Sequence, residues 1–146
     1  MARVKIDMPE HFRFLTQLPV RISDVNYGNH LGNDAIMSIL HEARMRYLAS
    51  FGATELEVSG TALIMADAAI VYKGEGFYGD QLTVEITAGE FTSVGFDLFY
   101  RISTFRGGQL AIIAEAKTGM VCFDYSARKV ARLPEELKTQ LSKTNA

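Results

Sequence analysis

The chain has 146 residues, 48% of them apolar and 22% charged, with a formal net charge of −2. A chain of this size buries a core without staples, and its charge excludes a general attraction to nucleic acid or anionic lipid. The single cysteine, Cys122, forms neither an internal disulfide nor a metal framework, no apolar run approaches the ~18 residues of a spanning helix, and the start Met1-Ala2-Arg3-Val4-Lys5-Ile6-Asp7 has no apolar targeting segment. The expectation is one domain over residues 1–146 with its core at about 12–124, in a cytoplasmic protein without cofactor or metal.

In chain order, Phe12 to Ile22 mixes apolar and polar residues and reads as a first strand with a break or an edge at Pro19. Ser23 to Asn33 is a polar loop bearing Gly28 and Gly32. From about Asn33 to Phe51 the period becomes helical, with Ile36, Leu40, Ala43, Tyr47 and Phe51 on one stripe and Ile39 beside it. Asn33 or Asp34 is expected to cap the start of this helix, and Gly52 to end it. Ala62 to Tyr72 is a mostly apolar run, as in a strand buried on both faces. Lys73 to Asp80, with three glycines, is a loop.

Leu82, Val84, Ile86 and Ala88 then alternate with polar residues, as do Val94, Phe96, Leu98, Tyr100 and Ile102. Arg106-Gly107-Gly108-Gln109 signals a hairpin. Leu110, Ile112, Ala114 and Ala116 open a last long strand that carries Cys122 as a core residue and runs to about Phe123. A short helix is expected over about 134–142, with Pro134 in its first turn. The class is therefore α+β: one long helix against an antiparallel sheet of about five strands. Its second face, still carrying apolar side chains, calls for a partner subunit.

The loop before the long helix carries the chemistry. A first helical turn has free N–H groups and a positive dipole end, which stabilise negative charge on a bound oxygen. Asp24 places a carboxylate in the same loop, as acyl transfer requires. From pattern alone, the preferred reading of such an aspartate is a cap or Asx-turn residue, and that of a lone His30 is a loop hydrogen-bonder.

The stretch from Val20 to Ala35 resembles the entry to the central helix of hot-dog-fold thioesterases, nearest to the 4-hydroxybenzoyl-CoA thioesterase-like acyl-CoA hydrolases. Asp24, His30 and Asn33 fall at the offsets of that family's loop motif, followed by Glu42-Ala43-Arg44; Gly79-Asp80-Gln81-Leu82-Thr83-Val84 and Arg132-Leu133-Pro134 match downstream. The likeness covers about residues 15–137.

It implies a long helix wrapped by a curved sheet, dimers with a continuous sheet, and a site at the dimer boundary. It implies Asp24 as nucleophile or general base, the backbone N–H near Leu31 as the group polarising the thioester carbonyl, and His30 and Asn33 lining the site. The expected partners are an acyl-CoA or acyl-carrier thioester and a second copy of the chain, as homodimer or homotetramer. The chain departs from the family in three places. Asn26 stands where many relatives have a second aspartate, Asn29 replaces the usual glycine before His30, and Lys73-Gly74-Glu75-Gly76 replaces a proline-bearing loop.

Two other readings remain open at this level. One is a hot-dog enoyl-CoA hydratase or dehydratase, suggested by Asp24, Asn26 and His30. The other is a non-catalytic acyl-CoA-binding domain. Glu42 and Arg44 are read as structural, His41 as packing or interface, and Asp67 as a residue that, if buried, needs a partner, a place facing the acyl pocket from a second subunit being the lesser alternative.

Overall fold

The helical stripe forms as α1 (Asn33–Ala49) in a computed structural model that describes residues 1–143; residues 144–146, the end of the expected domain, lie outside the described residues. Ile36, Ile39, Leu40, Ala43 and Tyr47 are all buried along α1. Six strands lie around it: β1 (Phe14–Pro19), β2 (Ala62–Tyr72), β3 (Gln81–Gly89), β4 (Gly95–Arg106), β5 (Gln109–Asp124) and the two-residue β6 (Lys129–Val130). All pairings are antiparallel, in the order β1-β3-β4-β5-β2, with β6 added to β5. The terminal helix α2 (Glu135–Ser142) packs Leu137 and Leu141 into the same core.

The face toward α1 is built by the expected alternation: Leu82, Val84, Ile86 and Ala88 of β3 and Phe96, Leu98, Tyr100 and Ile102 of β4 are buried. The β4–β5 hairpin turns at Gly107 and Gly108, both at positive φ (59° and 78°), conformations glycine adopts without a Cβ penalty. Pro19 is the last residue of edge strand β1, where its missing N–H costs no ladder bond.

Three expectations are corrected. Gly32 is the residue preceding the first turn of α1, and neither Asn33 nor Asp34 caps it with a side chain. Gly52, in contrast, ends the helix as expected: it sits at φ 78°, its N–H donates to the Ala49 carbonyl and the Ala53 N–H to the Leu48 carbonyl, each at 3.0 Å. In β5 the alternation breaks, because Ile102 pairs with Ala114 but Ser103 pairs with Ile112; Ile113 is therefore a bulge residue, and it is Ile113 that is buried.

Lastly, the second face of the sheet is not apolar. Glu115 there bridges Lys73 and Arg101 at 3.2 Å each, Lys117 meets Asp67 at 2.8 Å and Asp97 at 3.5 Å, and Arg13 donates to Thr87. Opposite charges across neighbouring strands suit a solvated face. Instead, β2 is left open. It lies at the edge of the sheet and, contrary to a strand buried on both faces, Met65 to Ala68 are exposed.

One polar group crosses the core. Arg44 of α1 is buried, and its Nη1 donates to the Tyr100 hydroxyl at 3.1 Å, which shares a proton with Thr118 Oγ1 at 2.7 Å. Arg44 Nε stands 3.5 Å from Glu55 Oε2 without meeting hydrogen-bond geometry. Burial raises the Tyr100 hydroxyl above its ordinary range, so it stays a neutral partner. Removing one member of such a network leaves the other unpaired, whereas replacing both by apolar groups is far milder. Tyr100→Phe is expected to lower unfolding free energy by about 1–3 kcal/mol in a denaturant titration, and Arg44→Met added to it is expected to recover part of the loss.

Candidate active site

After β1 the chain makes one 3-10 turn over Ile22–Asp24 and closes a tight loop back to α1. Asn26 N–H donates to the His30 carbonyl at 2.9 Å, Asn29 N–H to the Asn26 carbonyl at 3.0 Å, and Gly32 N–H to the Asp24 carbonyl at 2.9 Å. The Asn26 side chain accepts from the Gly28 N–H at 2.9 Å, an Asx turn. Asn29 sits at φ 64°, the left-handed region that asparagine tolerates better than most residues. That explains how it occupies a position where relatives carry glycine.

Asp24 is buried, with its side chain 6% exposed. Its carboxylate accepts the Arg21 backbone N–H at 2.9 Å and the Arg21 guanidinium at 3.2 and 3.3 Å. It borders a cleft of about 200 Å³ formed with Pro19, Arg21, Ser38, Glu42 and Arg46. His30, Leu31 and Asn33 line a different cavity, of about 270 Å³, together with Ile36, Tyr72, Glu75 and Ile113. The structure therefore brings together three of the four residues singled out in the sequence and sets the carboxylate of the fourth, Asp24, in another opening.

The amide donors also shift by two residues. The Leu31 N–H is committed to the Gly76 carbonyl at 2.7 Å, so it is not available to a thioester. Among the described residues, no protein acceptor takes the N–H of Asn33 or Asp34. These are the first two residues of α1, where the helix dipole is positive. The His30 ring, with Nδ1 3.4 Å from the Leu31 carbonyl, is only loosely held.

The far wall of the cavity is the loop after β2, which the sequence marked only as a departure from the family. The β5 bulge aims the Ile113 carbonyl at it, accepting Lys73 N–H at 2.9 Å and Gly74 N–H at 3.1 Å. A Cβ on Gly74 would lie 2.7 Å from the Ile112 carbonyl oxygen, and one on Gly76 would lie 3.1 Å from the Leu31 side chain. Arg106 donates to the Glu75 carbonyl and to Asp80, each at 2.8 Å. The loop is thus clamped between the sheet and the start of α1. No sequence period reveals this, since the clamp depends on a one-residue bulge in a distant strand. The other residues weighed in the sequence lie outside this cavity: His41 pairs with Glu55 at 2.7 Å, and Asp67 is largely exposed beside Lys117.

A cavity at an uncapped helix start, under a curved antiparallel sheet, has the electrostatics that favour an oxygen carrying or developing negative charge. The sequence matches the thioesterase-like superfamily over residues 20–141, and the chain belongs to that family. It is an acyl-CoA thioester hydrolase with a hot-dog fold.

Among its relatives is a 1,4-dihydroxy-2-naphthoyl-CoA hydrolase of Microcystis aeruginosa, 34% identical over 106 residues that span 70% of this chain and 74% of the relative. A second hydrolase of that name, from Acaryochloris marina, is 28% identical over 85% of this chain and 92% of its own length. In fold it resembles a 1,4-dihydroxy-2-naphthoyl-CoA thioesterase from Synechocystis, with TM-score 0.79, 24% identity, and coverage of 91% of this chain and 98% of the other. It also resembles a 4-hydroxybenzoyl-CoA thioesterase variant complexed with 4-hydroxybenzoyl-CoA, with TM-score 0.79, 17% identity, and coverage of 88% and 98%.

The loop geometry yields a prediction. Asn29→Gly is expected to leave thermal stability within about 0.5 kcal/mol of the parent, whereas Asn29→Val is expected to lose about 1–2 kcal/mol, because a β-branched residue resists positive φ. Equal melting temperatures for the two variants would contradict that reading of the turn.

Proposed function

We propose that the cavity between the start of α1 and the Lys73–Gly76 loop is where an aromatic acyl-CoA is hydrolysed. The observation that carries this is the uncapped start of α1, where the N–H groups of Asn33 and Asp34 have no protein acceptor, beside a cavity lined by Asn33 itself with Leu31, Ile36, Tyr72 and Ile113. The thioester oxygen takes those two donors, which strengthen their hold as the carbonyl becomes an oxyanion. The apolar wall and Tyr72 accept a flat ring. The two curated relatives described above, both named for a naphthoyl-CoA substrate, support an aromatic acyl group over a straight chain.

In this reading Asp24 positions the loop and does not attack. Its oxygens accept from Arg21, which supports a positioning role in place of the catalytic one the family resemblance implies. Leu31 likewise acts as a strut to Gly76, and His30 and Asn33 line the site.

The open edge of β2 supports a homodimer that continues the sheet from one protomer to the next. The eleven-residue strand has no neighbour on its outer side, and Met65 and Tyr72 are 42% and 50% exposed. A long open edge is a template for another strand, and here it is interrupted only by the irregularity between Met65 and Asp67. Tyr72 ends this strand and donates to the Asn33 carbonyl at 3.3 Å, so the pairing would set the cavity beside the subunit boundary.

Three measurements test these statements. In a thiol-release assay, 1,4-dihydroxy-2-naphthoyl-CoA or benzoyl-CoA is expected to give kcat/KM at least about tenfold above straight-chain acyl-CoAs, a discrimination worth about 1.4 kcal/mol; a preference for long straight chains would overturn the aromatic assignment. Asp24→Asn is expected to lower stability by about 1 kcal/mol while keeping thiol release within about tenfold of the parent; near-background rates in a folded variant would restore Asp24 to the chemistry. Sedimentation is expected to show a dimer that Met65→Lys shifts toward monomer.

A further inference from the structure

We infer that Glu75 supplies the carboxylate that activates water in this chain. The inference rests on the hydrolysis site proposed above and names its missing base.

Thioester hydrolysis needs a group that takes a proton from water or attacks directly. The two positions where the loop motif would place it are both unsuited. Asp24 turns its carboxylate to Arg21 in a separate cleft, and Asn26 carries an amide whose oxygen is held by the Gly28 N–H. Among the residues lining the cavity at the start of α1, Glu75 is the one carboxylate. No ion-pair partner occupies it among the described residues.

Its backbone is fixed on every side that matters. Lys73 and Gly74 hang from the Ile113 carbonyl, Arg106 holds the Glu75 carbonyl, and Gly76 accepts from Leu31, the residue two places before Asn33. Glycine is required by contact at 74, where a Cβ would lie 2.7 Å from the Ile112 carbonyl oxygen, and favoured at 76, where one would press on the Leu31 side chain at 3.1 Å. A bulge, two glycines and an arginine therefore fix the backbone of one exposed acidic residue at the rim of the cavity beside the free amides. Bulges next to active sites commonly re-aim a neighbouring group in this way.

The step is balanced with water alone. The Glu75 carboxylate takes one proton from a water molecule as the water oxygen bonds to the thioester carbon. The carbonyl electron pair moves onto its oxygen, held by the Asn33 and Asp34 N–H groups. Collapse of this intermediate restores the C=O bond and breaks the C–S bond, and the departing thiolate takes the proton back from Glu75. The products are the free acid and the thiol. His30, in the same cavity, is the competing base, and the experiment separates the two.

Glu75→Gln keeps the shape of the side chain and removes its charge. With benzoyl-CoA as probe, it is expected to lower kcat by roughly 10²–10⁴-fold with KM changed less than about threefold. Any fall in rate toward acid pH in the parent is expected to disappear with it, and Glu75→Asp to recover part of the rate. Circular dichroism and sedimentation matching the parent verify that fold and assembly are kept. A Glu75→Gln enzyme within about fivefold of the parent, or one keeping the parent pH profile while His30→Gln loses it, overturns the assignment and leaves the hydrolysis site standing. A parent protein that releases no thiol from any acyl-CoA overturns the site and the base together.

Discussion

Burial of one stripe of α1 against the curved sheet fixes where that helix begins, and the site follows from that placement. Ile36, Leu40, Ala43 and Tyr47 are each 3% exposed or less, and a side chain the size of Ile36 or Leu40 contributes about 1.5–3 kcal/mol by leaving water. The helix therefore cannot slide or tilt to satisfy its own first turn. Gly32, which precedes it, has no side chain with which to cap it. Ordinarily a serine, threonine or aspartate would accept one of those N–H groups. Here the donors of Asn33 and Asp34 remain available for a ligand, in a position set by core packing many residues away.

The opposite wall of the cavity obeys the same logic of remote control. A single extra residue in β5 turns the Ile113 carbonyl out of the regular ladder, and that carbonyl anchors the loop after β2. Two glycines let this loop pass close to the sheet on one side and to Leu31 on the other. The Leu31 N–H then joins the two walls directly. A site built this way is rigid because each wall braces the other, and rigid donors need no reorganisation when charge develops.

The charged face of the sheet and the open edge of β2 divide the surface into two regimes. Lys73, Arg101 and Glu115, with Lys117, Asp67 and Asp97, form cross-strand ion pairs that keep the outer face in water. Surface pairs of this kind add little to stability. Beyond β5, the outer edge of β2 is open among the described residues, with Met65, Ala66, Asp67 and Ala68 exposed along it.

The residues themselves determined the long helix and its buried stripe, the alternating inner faces of β3 and β4, the glycine hairpin, and the polar loop carrying His30, Leu31 and Asn33. Each of these is a local periodicity or a local turn preference, which a short window of sequence carries complete. Tertiary structure decided the rest. It sent β2 across to pair with β5, inserted the bulge at Ile113, turned Asp24 toward Arg21, engaged the Leu31 N–H, and brought Glu75 to the start of α1. Those outcomes depend on which distant carbonyl or guanidinium lies within about 3 Å of a group once the chain has packed, and no spacing along the chain encodes that distance.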